Sequence, residues 1–145
     1  MYSHILIPTD GSTLSDNAVR EGVKLAAALG AKVTGFIATP DFHATGVEPG
    51  LIADTREEFE DRMQTLAQQA LGAVKRAAAD AGVRCVTEHV IGERPWEAII
   101  QAARRNRCDL ILMASHGRKG VAGLLLGSET NKVLTHSKIP VLVCR

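Results

Sequence analysis

The sequence predicts an α/β domain in which helices cover both faces of a parallel sheet. Short, continuously apolar segments at residues 5–7 and 110–113 are typical of central strands that are buried on both sides. Between such segments lie stretches with apolar residues at helical spacing, and turn-forming residues separate the two kinds of segment. The regular alternation of strand and helix favours a parallel sheet, and right-handed crossovers limit its topology.

Composition restricts the classes of function. The chain has 145 residues, a formal net charge of +1 and 3% aromatic residues. The length predicts a single domain over residues 1–145. Because acidic and basic residues nearly cancel, the chain has no net charge that would attract nucleic acid or an anionic membrane. It also has too few aromatic side chains to form a platform on which nucleic-acid bases stack. No secretory signal or spanning segment is recognised, and the three cysteines form no CxxC pair, so we expect a cytoplasmic protein.

The first half of the chain predicts two strands and two helices. The opening strand ends at Pro8, and a turn leads into a helix for which Ser12, Thr13 or Ser15 is the candidate cap and which stops at Gly30. Residues 31–39 predict a second strand, and residues 40–54 predict a loop. Thr55-Arg56-Glu57-Glu58 is the sequence of a capping box, and the long helix behind it ends near residue 82.

The second half continues the alternation. Residues 83–91 mix polar and apolar side chains, which suits an edge strand. Pro95 fits the first turn of a third helix. Residues 109–114 predict a fourth strand, residues 129–136 a fourth helix, and a last strand begins at Pro140 and ends at Cys144.

The loop after the fourth strand is rich in glycine. Glycine allows close approach of the backbone to an anion, and the helix that follows offers unpaired N–H groups and a positive dipole end. Ser128 occupies the position of an N-cap, so its hydroxyl is expected to cap the helix, contact a phosphate, or do both. The loop matches neither the Walker A nor the Rossmann fingerprint, so the residues alone leave it as an anion site or a plain turn.

Two motifs resemble the universal stress protein family. Its C-terminal signature is similar to a pattern near the end of this chain. That pattern is Gly117, nine further residues and Gly127-Ser128, followed by a helix and the apolar residues 139–143. Residues 4–12 resemble its first strand and turn. ATP-binding members carry Gly-x2-Gly-x9-Gly-Ser/Thr, and here Ala114 replaces the first glycine. The resemblance implies a three-layer α/β/α, Rossmann-like fold related to the adenine nucleotide alpha hydrolases, with five parallel strands in the order 3-2-1-4-5.

The same resemblance implies a nucleotide site between the first and fourth strands, where the winding of the sheet reverses. Backbone N–H groups near the glycines and the start of the fourth helix would hold the phosphates. Asp10 would lie near ribose and phosphates and, with Thr9, hold Mg²⁺ when a triphosphate is bound. The backbone of Ala38 would read the adenine edge. The residues predicted to bind the nucleotide are Pro8, Thr9, Asp10, Ala38, Met113, Ala114, His116, Gly117, Arg118, Gly127, Ser128 and Glu129.

Several of these residues also have structural interpretations. Asp10 is equally interpreted as a turn or helix-entry residue. His116 is interpreted as a residue that hydrogen-bonds its own loop, and Met113 is interpreted as a core residue. The carboxylate of Glu129 suits the positive end of a helix, yet it would repel a phosphate unless it points outward.

The predicted function is that of a dimeric stress-response protein that binds ATP and acts as a switch. In the implied strand order the last strand lies at a sheet edge, where its apolar residues predict antiparallel pairing with a second copy, unless a helix or the C-terminus covers that edge. The alternative is a dimeric interaction module that does not use ATP. Ser115 and His116 are neighbours without an orienting third group, so at most slow ATP hydrolysis is expected.

Overall fold

Strands and helices alternate along the chain as the sequence predicts. The computed structural model describes residues 1–45, 55–92, 94–117 and 126–145. The elements are β1 (His4–Pro8), α1 (Thr13–Leu29), β2 (Lys32–Thr39), α2 (Arg56–Asp80), β3 (Cys85–Ile91), α3 (Pro95–Arg105), β4 (Leu110–Ala114), α4 (Ser128–His136) and β5 (Val141–Cys144). A short 3-10 helix, Phe42–Thr45, lies within the segment that was expected to be a loop.

The five strands form one parallel sheet in the order β3-β2-β1-β4-β5, which confirms the predicted topology. β1 is the central strand, since Ile5 is in register with Val33 of β2 on one side and with Leu110 of β4 on the other. β3 and β5 are the two edge strands. The winding of the sheet reverses between β1 and β4.

The helices pack in two layers because alternate strand residues point to opposite faces. On one face Ile5, Ile7 and Leu112 pack against α1 and α2. On the other face Leu6 and Ile111 pack against α3 and α4. Among the helices that the structure describes, none combines the length and the apolar character needed to cross a membrane.

Helix boundaries follow the capping signals in the sequence. The Ser12 hydroxyl accepts from Ser15 N–H at the start of α1, and Gly30 ends that helix with a φ of 66°. Thr55 and Glu58 form the predicted capping box of α2, in which each side chain accepts from the backbone N–H of the other residue. Pro95 is the first residue of α3, where its missing N–H costs nothing.

Candidate functional site

The loops that follow β1 and β4 meet in a region outside the carboxyl ends of these strands, where Gly117 lies against Asp10. We call it the β1–β4 crevice and define it by Thr9, Asp10, Gly117, Gly127 and Ser128. Ligands of open α/β sheets bind outside the carboxyl ends of the strands where the winding reverses. The crevice occupies that position.

The turn after β1 is a hydrogen-bonded network. Asp10 Oδ1 accepts from Ser12 N–H at 2.9 Å and from the Ser15 hydroxyl at 2.9 Å. The Thr9 hydroxyl accepts from Gly11 N–H at 3.1 Å, and Gly11 has a φ of 78°, a conformation that favours glycine. Asp10 is therefore a turn residue, as one interpretation of the sequence holds, and one of its carboxylate oxygens is committed to that turn.

The second carboxylate oxygen of Asp10 faces the loop after β4. A Cβ atom at Gly117 would overlap Asp10 Oδ2 and lie 3.3 Å from Asp10 Cγ. Only a residue without a side chain allows this approach, so the glycine brings the two loops together. Oδ2 is therefore the oxygen of Asp10 that faces the loop after β4.

Gly127 closes the other side of the loop. Its N–H donates to Ser115 O at 2.7 Å, and a Cβ atom there would lie 2.8 Å from His116 Cβ and 3.0 Å from His116 Cα. The N–H of Gly127 is thus bound within the loop, and the donors nearest to it that lack a partner inside α4 are those of the residues that follow.

The start of α4 corrects a prediction. Gly127, in an extended conformation, is the N-cap, and its carbonyl accepts from Asn131 N–H at 3.0 Å. Ser128 is therefore the first helical residue and not the cap. The N–H groups of Ser128, Glu129 and Thr130 lie in the first turn and have no partner inside the helix. They are the donors that this end of α4 presents to the crevice.

The residues around the end of β4 are largely structural. Ala114 is buried against the α1 face in an ordinary extended strand, so the methyl group that replaces a glycine is accommodated in the core. Met113 belongs to the core on the α3 face, as its structural interpretation holds. The hydroxyl of Thr130 donates to Ala114 O at 2.9 Å and fixes α4 against β4. His116 Nδ1 lies 3.1 Å from the Ser115 hydroxyl, a contact within the loop.

Glu129 points away from the crevice toward α3. Its Oε2 accepts from Trp96 N–H at 2.8 Å, and its Oε1 lies 3.7 Å from Lys132 Nζ. It supplies the cap that Arg94, at the N-cap position of α3, does not make with its side chain. One local signal indicates this contact: Arg94, which caps poorly, precedes Pro95, so the N–H of Trp96 needs an acceptor from another part of the chain.

Two further predicted residues complete the set. Ala38 is half-buried near the end of β2, in register with Val90 of β3. Pro8 is the last residue of β1 and is buried. Arg118 lies outside the residues that the structure describes.

A separate cavity of about 400 Å³ lies on the α2-covered side of the sheet, at the ends of β2 and β3. Phe42 and Phe59 stand edge to face in its wall, with ring centroids 5.6 Å apart. His89 Nε2 lies 2.7 Å from the Thr39 hydroxyl at its base. None of the five residues that define the β1–β4 crevice lines this cavity, so the two regions are distinct.

Comparison with known proteins identifies the family of the chain. The pattern of the Universal stress protein family matches residues 1–145. Universal stress protein MJ0531 of Methanocaldococcus jannaschii is 32% identical over 148 residues, covering 100% of this chain and 83% of that protein. The solved structure of MJ0577 from the same organism has a TM-score of 0.82 at 27% identity and covers 99% of this chain and 95% of that chain.

A universal stress protein solved in complex with cAMP has a TM-score of 0.73 at 25% identity, covering 99% of this chain and 97% of that chain. The fold, the order of its strands and a match over the full sequence therefore lead to one assignment. The chain belongs to the universal stress protein family.

Proposed function

We propose that the protein binds an adenine nucleotide, with ATP and Mg²⁺ as the physiological form, in the β1–β4 crevice and serves as a dimeric switch in the stress response. The observation that carries this proposal is the approach of Gly117 to Asp10, which brings a carboxylate oxygen next to the loop after β4. The relative solved with cAMP supports an adenine nucleotide as the class of ligand.

The phosphates would bind at the first turn of α4. The N–H groups of Ser128 and Glu129 have no acceptor inside the helix, and the positive end of the helix dipole favours an anion. The hydroxyl of Ser128 is exposed and adds a further donor. Mg²⁺ bound to the phosphates would take Asp10 Oδ2 as its protein ligand.

The adenine would be read by the backbone of Ala38. β1 ends at Pro8, in register with Phe36, and Thr9 N–H donates to Phe36 O at 2.8 Å. In a parallel ladder, alternate residues direct their N–H and C=O groups to the same neighbour, so those of Ala38 point to the β1 side. Because β1 has ended two residues earlier, these groups open into the crevice, where they can pair with the edge of a base.

Calorimetry with ATP and Mg²⁺ tests the proposal. The wild-type protein should bind saturably, and Asp10→Ala should weaken binding about tenfold or more because it removes the carboxylate near the metal. Asp80→Ala, which removes an exposed carboxylate at the end of α2, is the matched control and should bind as the wild type does. An absence of both heat and thermal stabilisation at millimolar ATP would refute nucleotide binding.

A second candidate is a dimeric interaction module that works without ATP. It is favoured by Leu142, which is 45% exposed on the edge strand β5. An apolar edge of this kind can pair with a second copy and extend the sheet. This reading predicts a dimer whose stability does not change when nucleotide is added.

We also propose that the chain works as a single domain in the cytoplasm. Cys85, Cys108 and Cys144 are all free thiols, which suits a reducing compartment.

A further inference from the structure

Ser15 is a buried residue of α1 whose hydroxyl contacts the turn after β1. It is the third residue of the helix and is 3% exposed. Its hydroxyl oxygen lies 2.9 Å from Asp10 Oδ1 and 3.1 Å from the hydroxyl oxygen of Thr9. One buried polar side chain therefore contacts both residues that the β1–β4 crevice takes from this turn.

The hydroxyl of Ser15 has one proton to donate, and Asp10 is its strongest acceptor. Ser15 Oγ lies 2.9 Å from Asp10 Oδ1 and 3.0 Å from Ser12 O. The carbonyl of Ser12 already accepts from Asp16 N–H at 2.9 Å in the first turn of the helix. A carboxylate is the stronger acceptor because it carries a charge. The hydroxyl proton therefore goes to Asp10, and Thr9 is left to donate to Ser15.

The start of α1 does not need this hydroxyl for its own cap. In a capping box, the side chain of the third helical residue accepts from the N–H of the N-cap residue. Here Ser12 is the N-cap, and its N–H donates to Asp10 Oδ1 at 2.9 Å instead. The Ser12 hydroxyl accepts from the backbone N–H of Ser15 at 3.3 Å, a contact that does not involve the Ser15 side chain. The side chain of Ser15 is thus available to hold the carboxylate.

Two donors fix the orientation of the Asp10 carboxylate. The N–H of Ser12 and the hydroxyl of Ser15 both donate to Oδ1. With Oδ1 held, Oδ2 is directed toward the loop after β4, where it lies against Gly117. The last side-chain torsion of aspartate has broad minima, so the loss of one donor would allow the carboxylate to rotate.

We propose that Ser15 is a positioning residue for nucleotide binding, because its hydroxyl holds Asp10 in the orientation in which Oδ2 faces the loop after β4. Ser15 is buried, so it acts on the ligand through Asp10 and not by contact. This inference rests on the proposed function and adds a residue that sets the geometry of the same site.

Calorimetry with ATP and Mg²⁺ tests the inference. Ser15→Ala removes one of the two donors to a charged group and should raise the Kd about three- to tenfold. Ser15→Thr keeps the hydroxyl and should bind within about twofold of the wild type. In an Asp10→Ala background, Ser15→Ala should change the Kd by less than about twofold, because the carboxylate through which it acts is gone.

Thr34→Val is the matched control for the loss of a buried hydroxyl. Thr34 lies fully buried in β2, and its hydroxyl oxygen is 2.7 Å from His4 Nε2. The variant should lose stability in thermal unfolding, as Ser15→Ala does, but keep its Kd within about twofold of the wild type. If Ser15→Ala does not fold, Ser15→Cys takes its place, because a thiol has a similar shape but is a weak donor, and the same loss of affinity is expected.

The outcomes separate this inference from the proposed function. A Kd that is the same in the wild type and in Ser15→Ala overturns the positioning role while leaving nucleotide binding intact. Losses that add in the double variant, or a Ser15→Thr protein that binds as weakly as Ser15→Ala, also reject it. A Thr34→Val protein with the same loss of affinity would show a general effect of destabilisation and reject it as well. If the wild type does not bind ATP with Mg²⁺, both proposals fail.

Discussion

Gly117 lies against the carboxylate of Asp10, although the two residues come from opposite halves of the chain. A side chain at position 117 would overlap Asp10 Oδ2. The contact joins the turn after β1 to the loop after β4 above the point where the sheet changes direction. The proposed nucleotide site depends on this approach, because it brings the carboxylate of Asp10 to the loop that leads into α4.

Gly117→Ala should weaken nucleotide binding about tenfold or more and lower the free energy of unfolding by about 1–2 kcal/mol. The new methyl group meets the carboxylate of Asp10, which has to move away from the crevice and loosens its hydrogen bonds to Ser12 and Ser15. Binding is measured by calorimetry and stability by urea unfolding. Gly92→Ala is the control, because a Cβ atom there has open space around it. Equal affinities for the two variants would contradict the prediction.

Gly127→Ala should destabilise the fold itself, by about 1–3 kcal/mol. Its methyl group would meet backbone and Cβ atoms of His116, so the start of α4 has to shift. Gly72→Ala is the comparison: within α2 the nearest atoms belong to the flexible end of Arg76, and alanine forms helix better than glycine by about 1 kcal/mol. The midpoints of chemical denaturation of the two variants should therefore shift in opposite directions relative to the wild type. A Gly127→Ala protein as stable as the wild type would be inconsistent with the tight packing at His116.

Stability should fall as the pH falls through the range in which His4 titrates. Burial, together with the nearby charge of Lys32, lowers the pKa of His4, although Asp109 partly opposes this. The folded protein then holds His4 neutral while the unfolded chain takes up a proton near pH 6.5, so acid favours the unfolded state. The contribution of His4 is complete above about pH 6.5 and is lost as the pH drops toward the lowered pKa of the folded state.

His4→Gln should reduce this dependence, as measured by urea unfolding between about pH 7.5 and 5. Burial also lowers the pKa of His89, so some loss in acid remains in the variant. His43→Gln, at an exposed position, serves as the control. If His4→Gln and the wild type lose stability in parallel, His4 is not the group responsible.

Leu142→Lys should convert a dimer into a monomer. Leu142 is 45% exposed on β5, and a lysine on an edge strand blocks pairing with another sheet. Val86→Lys makes the same change on β3, the opposite edge, where the native side chain is 56% exposed, and should leave the dimer intact. Sedimentation equilibrium gives the masses. A wild-type monomer, or a variant at Leu142 that remains dimeric, would remove β5 as the interface.

Local signals in the sequence anticipated much of the fold. The caps at Ser12 and Thr55 and the proline at the start of α3 fixed helix boundaries because the interactions span only a few residues. The strand order followed from the family resemblance, since alternation of strands and helices leaves several orders open. The predicted helix boundaries depend on neighbouring residues and the strand order on the resemblance, and the structure confirms both.

Long-range contacts account for what the sequence did not reveal. The bond from Trp96 N–H to Glu129 joins residues on two helices, and no periodicity indicates it. Ser128 was expected to be the cap because serine caps well, but Gly127 takes that position once its N–H is bound to Ser115 O. In both cases a tertiary contact overrides a local preference.

Backbone amide chemical shifts of isotope-labelled protein, recorded while ATP and Mg²⁺ are added, test the central claim most directly. The account predicts saturable shifts that are largest at Ala38, Gly117 and Ser128, which lie around the β1–β4 crevice. Shifts confined to Thr39 and His89 at the cavity beside α2, or no shifts at millimolar nucleotide, would contradict it.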